Sequence, residues 1–140
     1  KAIEMYEASL SIGLGASENA RTYNYIGISL YRLGEYEEAI QMYQKALTIQ
    51  LQSLGKQHPA TARTYYYFGK ILYKQGKKME ALKMYEEALE IQLKVFGNQH
   101  PMVVKTYNRI GKVLRRCKEA EEEMQNYQRA LSLIDLSQNL

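Results

Sequence analysis

The sequence predicts an all-α fold, a right-handed superhelical solenoid of helix–turn–helix repeats. Three observations carry that expectation. The chain matches itself at a displacement of 42 residues: Thr22, Thr64 and Thr106 fall in register, as do Tyr23, Tyr65 and Tyr107; Gly27, Gly69 and Gly111; Leu30, Leu72 and Leu114; Tyr43, Tyr85 and Tyr127; Ala46, Ala88 and Ala130. Within a unit the apolar residues recur at i, i+3, i+4 and i+7, the stripe of an amphipathic helix facing a core. Turn residues keep the same period: Gly34 and Gly76 inside the units, and Gly55-x-x-His58-Pro59 repeated between them as Gly97-x-x-His100-Pro101. Such a unit buries its apolar face only against a neighbour, so the product of the fold is an extended surface.

The 140 residues suit one domain, divided into a half repeat at 1–17 and successive repeats at 18–59, 60–101 and 102–140. Residues 1–12 resemble the second half of a repeat, since Ala2, Tyr6 and Leu10 match Ala39, Tyr43 and Leu47; the helix expected before them is absent. With Lys1 inside that pattern, the chain reads as a fragment of a longer protein, and Ile3, Tyr6 and Leu10 are expected to be exposed, fraying or self-associating. Gly13 and Gly15 make a turn, and Ser17 or Asn19 can cap the helix that follows.

Helix A of the first full repeat is expected over Ala20–Leu33, with Tyr23, Ile26, Gly27 and Leu30 inward and Gly34 as a left-handed cap. Gly27 lies inside the helix, where glycine costs about 1 kcal/mol relative to alanine; close approach of a neighbouring helix explains it. Helix B, Tyr36–Leu54, turns Ala39, Ile40, Tyr43, Ala46, Leu47 and Ile49 inward. Gly55 stops it, and Pro59 sits near the first position of the next helix, where its missing N–H costs nothing. His58 recurs with the fold as His100, which argues for capping or packing in the turn over a ligand or acid–base role. The second repeat follows with helix A over Ala60–Gln75, Gly76 as cap and helix B over Lys78–Phe96.

The third repeat is expected as helix A over Met102–Cys117 and helix B over Glu119–Ser137, with the acidic run Glu119–Glu123 at a helix start where it suits the dipole. It departs from the others twice. Lys118 stands where Gly34 and Gly76 stood, and Glu123 stands where Ala39 and Ala81 pack. A carboxylate at a tight helix contact is costly unless turned outward or paired, so this hairpin is expected to be looser, shifted or modified.

The pattern Tyr23-x-x-Ile26-Gly27-x-x-Leu30 followed by Ala39-x-x-x-Tyr43-x-x-Ala46 resembles the tetratricopeptide repeat, with tyrosine at the usual tryptophan and phenylalanine positions. The lengthened helix B and the Gly-x-x-His-Pro loop make it similar to the 42-residue repeats of kinesin light chains and nephrocystin-3. The resemblance covers essentially the whole chain. It implies a binding scaffold whose A helices line a concave groove for extended or helical peptide segments, and a cytoplasmic location, with a cytoskeletal or ciliary association. Asn24 and Asn108 match the asparagine that such repeats present to peptide backbone; Tyr66 replaces it in the middle repeat.

The charge pattern points the same way from the residues alone. The expected A helices carry ten positive charges and no carboxylate: Arg21 and Arg32; Arg63, Lys70 and Lys74; Lys105, Arg109, Lys112, Arg115 and Arg116. With about 100° per residue and Tyr23 at the origin, the core stripe lies within about 60°. Arg21, Asn24, Ile28, Tyr31 and Arg32 fall away from it, as do Arg63, Tyr66, Lys70, Tyr73 and Lys74, and then Lys105, Asn108, Lys112, Arg115 and Arg116. A face kept only soluble would tolerate both signs, whereas like charges repel along it. An acidic partner accounts for the set, and Tyr31, Tyr66 and Tyr73 are left to touch it; Tyr23, Tyr43, Tyr65, Tyr85, Tyr107 and Tyr127 are core by spacing.

No catalytic constellation, phosphate loop or metal-spaced cluster occurs, so neither enzyme activity nor a cofactor or metal is expected. The single cysteine, Cys117, excludes an internal disulfide and suits a reducing, intracellular setting, and no apolar run approaches a membrane span. The expected function is protein–protein interaction through a basic groove that takes acidic peptide segments. Two alternatives stand beside it: a structural spacer in a longer array, and single-stranded nucleic acid binding, which basic residues interleaved with aromatics also suit.

Overall fold

The computed structural model describes residues 15–138, so the expected half repeat at 1–12 lies outside the described residues. Five helices make up the described part: α1 (Ala16–Arg32), α2 (Tyr36–Ser53), α3 (Pro59–Lys74), α4 (Lys78–Phe96) and α5 (Pro101–Gln138). α1 pairs with α2 and α3 with α4 as hairpins; α2 against α3 and α4 against α5 stack them into the all-α solenoid the repeat predicts. One core runs through the stack, from Ile26, Leu30 and Tyr43 through Phe68, Ile71 and Tyr85 to Val113.

The turns are built as their residues require. Gly34 and Gly76 take φ of 82° and 80°, the left-handed region that side chains disfavour. Beyond them the Glu35 N–H donates to the Leu30 carbonyl at 2.9 Å and the Lys77 N–H to that of Leu72 at 2.9 Å, closing the helix ends. His58 and His100 are caps: each Nδ1 accepts from a backbone N–H two residues on, Ala60 at 3.0 Å and Met102 at 3.1 Å. α3 and α5 begin on Pro59 and Pro101. α1 differs from expectation. It starts at Ala16 behind Gly15 with no side-chain cap, because Ser17 and Asn19 already lie within its first turns. It therefore includes Glu18, so the A helices carry one carboxylate, at an N-terminus whose dipole favours it.

The helical glycines explain how close the hairpins are. A methyl group on Gly27 would come within 2.8 Å of Tyr43 Cε1, and one on Gly69 within 2.8 Å of Tyr85 Cε1. Both tyrosines are fully buried, and burial pushes both phenols well above the ordinary tyrosine range. Gly111, in the same register, has nothing within 4 Å of the equivalent position, so the shared packing role holds for two glycines of three.

That difference follows from the path of the third repeat. The expected third hairpin does not form: Pro101–Gln138 is one continuous helix of 38 residues. Lys118 occupies the turn position, where a left-handed conformation costs a side chain about 1–2 kcal/mol. A closed hairpin would also press Glu123 into the site that Ala39 and Ala81 fill with no exposure. The straight helix keeps both in solvent. The acidic run Glu119–Glu123 thus lies mid-helix, where Glu119 approaches Arg116 at 3.8 Å. Tyr107 and Tyr127, expected in the core, are 49% and 62% exposed, because the helix that should have brought them together never turns back.

Candidate functional site

The A-type helices α1 and α3 and the start of α5 enclose a cavity of about 530 Å³. Arg21, Arg63 and Lys105, one from each repeat in register, all line it, and no carboxylate is among its lining residues. Asn24 and Tyr66 from the expected groove set line it too. Tyr31, Arg32, Lys70, Tyr73, Lys74, Asn108, Lys112, Arg115 and Arg116 do not.

Two basic residues in the cavity are held by aromatic neighbours one turn on. The Arg21 guanidinium lies 5.7 Å from the Tyr25 ring centroid and that of Arg63 5.7 Å from Tyr67. The spacing i, i+4 puts each pair on one helix face, and Arg21 donates to the Tyr25 hydroxyl at 3.4 Å, which favours the phenolate and lowers that phenol from its ordinary value. The third repeat breaks the pattern, with Arg109 standing where Tyr25 and Tyr67 stood. Arg109 instead donates through Nε to the Tyr66 hydroxyl at 3.2 Å. Tyr66 is buried, its ring 5.8 Å from that of Tyr85, so it serves as much as wall as contact.

The floor is a buried polar bridge. Thr64 Oγ1 donates to Gln50 Oε1 at 2.6 Å and accepts from Asn24 Nδ2 at 2.9 Å, tying α1, α2 and α3 together. Thr106 repeats half of it, donating to Gln92 Oε1 at 2.6 Å. Asn24 therefore spends one donor on the scaffold. Gln50 and Gln92 were missed by a reading that kept to the A helices; their signal was present, since each precedes a register threonine by 14 residues. Tyr25 and Tyr67, also missed, lie just beyond the angular window drawn round the basic face.

The remaining basic residues divide. The Lys70 ammonium sits 5.4 Å from the ring of Tyr31 and 5.6 Å from that of Tyr67, and Lys112 repeats this 5.5 Å from Tyr73. Each lysine thus clamps to a tyrosine of the preceding repeat, an attraction worth about 0.5–2 kcal/mol. Burial, then the nearby charges of Arg109, Lys105, Lys74 and Arg32, push Lys70 below the usual lysine range. Arg32, Lys74, Arg115 and Arg116 are solvent-exposed.

The tetratricopeptide repeat profile matches residues 18–94 and 69–135, most of the chain. The chain belongs to the tetratricopeptide repeat family. Repeats of this family mediate protein–protein interaction. Among solved structures the fold is similar to BtubC (BKLC) from P. vanneervenii, with a TM-score of 0.78 at 23% identity over 99% of this chain and 56% of that one. It is also similar to a protein of Podospora anserina described as a kinesin light chain with nearly identical TPR-like repeats, with a TM-score of 0.73 at 17% identity over 94% of this chain and 65% of that one. The chain thus spans little more than half the length of the first and under two thirds of the second. At such identities the likeness is one of fold. No curated protein matches the sequence. Among the described residues no helix is long and apolar enough to cross a membrane, and no cluster of His, Cys, Asp or Glu is placed to hold a metal.

Proposed function

We propose that this tetratricopeptide repeat chain holds an acidic segment of a partner protein in the cavity between α1, α3 and α5. The observation that carries the reading is the row Arg21, Arg63 and Lys105: three cations in repeat register on one concavity whose lining residues include no carboxylate. A row across successive repeats suits an extended chain more than a point ligand. The half-buried Tyr67 and the exposed Tyr25 offer flat apolar surface beside two of the charges, a place for an anchoring side chain. Charge sets encounter and partner choice, and the anchor sets residence time.

The test is fluorescence anisotropy with a labelled peptide rich in Asp and Glu and containing one aromatic residue. Arg63→Glu with Lys105→Glu should weaken binding at least tenfold, about 1.4 kcal/mol, with the thermal midpoint nearly unchanged because both side chains are exposed. Added salt should slow association, since exposed charges are screened over about 10 Å at 0.1 M. An oligonucleotide that outcompetes every acidic peptide tried would transfer the cavity to nucleic acid, and a charge reversal that changes no binding would leave a solvated face.

A further inference from the structure

α5 carries an unfilled receptor for a B-type helix. In the first two hairpins Tyr43 and Tyr85 press on Gly27 and Gly69. At Gly111 the same notch is open, with Val104, Tyr107 and Leu114 exposed around it. Tyr127, the register equivalent of Tyr43 and Tyr85, cannot fill it. Tyr127 lies 16 residues beyond Gly111 on one continuous helix, about 160° round at 3.6 residues per turn, and so points from the opposite face. For the same reason two straight α5 helices laid side by side cannot each offer a notch to the other's Tyr127.

The sequence contains a better-matched occupant. Residues 2–12 read Ala-Ile-x-Met-Tyr-x-x-Ser-Leu-x-Ile, against Ala-Ile-x-Met-Tyr-x-x-Ala-Leu-x-Ile at 39–49 and Ala-Leu-x-Met-Tyr-x-x-Ala-Leu-x-Ile at 81–91. The chain's own third B segment departs from that pattern with Glu123 for the alanine and Asn126 for the methionine. Charge agrees: residues 2–12 carry Glu4 and Glu7 and no basic residue, whereas Arg115 and Lys118, about 40° and 20° to either side of Gly111 on the helix, border the notch face. We infer that residues 2–12 of a second copy dock on the Tyr107–Gly111–Leu114 face of α5, with Tyr6 in the Gly111 notch. The two patches differ, so the contact is head-to-tail and propagates into a chain of molecules instead of closing as a symmetric dimer. The inference is independent of what the cavity binds.

Sedimentation velocity on the full chain over the micromolar range tests it. The wild type should gain mass with concentration past the dimer. Gly111→Leu, which meets open space in the monomer, and Tyr6→Asp should each remain monomeric. Mixed, they should form a one-to-one dimer and nothing larger, because one retains the notch and the other the intact 2–12 segment. A wild type that stays monomeric, either variant still associating alone, or a mixture that fails to dimerise overturns the proposal. The second outcome would assign association to a symmetric contact such as the exposed Met124 and Leu131.

Discussion

Alanine should stabilise the protein at Gly111 and should not at Gly69. Both glycines sit inside helices, so alanine gains about 1 kcal/mol of helix propensity at either. At Gly69 the new methyl would meet Tyr85 Cε1 at 2.8 Å and Cδ1 at 2.9 Å. That ring has little room to move: it is buried, and the Tyr66 ring, one turn from Gly69 on the same helix, lies 5.8 Å from it. Overpacking of this kind costs about 1–3 kcal/mol, which leaves Gly69→Ala neutral to about 2 kcal/mol destabilised. At Gly111 the methyl meets nothing within 4 Å, so the propensity gain stands alone. Urea unfolding followed by far-UV circular dichroism reads the separation directly as a difference in midpoint at similar slope. Gly69→Leu should fall well below either. If Gly69→Ala raises the midpoint as much as Gly111→Ala, or Gly69→Leu melts within a degree of wild type, the close packing assigned to Gly27 and Gly69 is wrong.

Lys118→Gly combined with Glu123→Ala restores the residues that turn and pack the first two hairpins, and should fold α5 back on itself. Spin labels at 104 and 134, about 45 Å apart along a straight helix at 1.5 Å per residue, should then approach to about the 10 Å of packed helices; an unchanged distance would mean those two residues do not keep the helix straight. Tyr43→Phe removes a buried hydroxyl that lacks a hydrogen-bond partner, and should be neutral to stabilising at neutral pH. Because burial raises the Tyr43 phenol when folded, the unfolded chain ionises first, so wild-type stability should fall as pH rises past about 10. The variant should lose less over that range in alkaline melts, and an equal loss would remove Tyr43 from the account.

The two hairpins were legible because their contacts are encoded by pairs repeated at one period. A glycine inside a helix and a tyrosine 16 residues later specify a close approach, and a glycine at the turn specifies where the chain reverses. The third repeat kept the glycine and the tyrosine but lost the turn, and a periodic reading weighs the many matches above the one position that controls direction. Lys118 and Glu123 marked the departure; that the helix would run straight follows from the cost of Lys118 in a left-handed turn, which no spacing expresses. The cavity was half legible. Arg21, Arg63 and Lys105 were placed on one face by angle alone, whereas Lys70 and Lys112 proved to be clasped by tyrosines of the preceding repeat. An angle on one helix cannot reveal what an adjacent helix brings alongside. Gln50 and Gln92 enter from α2 and α4 for the same reason.

The length of α5 gives the molecule two kinds of order. At 1.5 Å per residue its 38 residues extend about 57 Å. Val103, Thr106 and Val113 are clamped against the stack, while Lys118–Asp135 is solvent-exposed throughout. The clamped half supplies the costly helical nucleus, so the outer half needs only propagation. Amide hydrogen exchange should therefore show no single cooperative opening along this helix. Protection should be strongest near Val103–Val113 and decline toward Gln138, each residue opening by fraying from the end, at free energies well below those that unlock the hairpins.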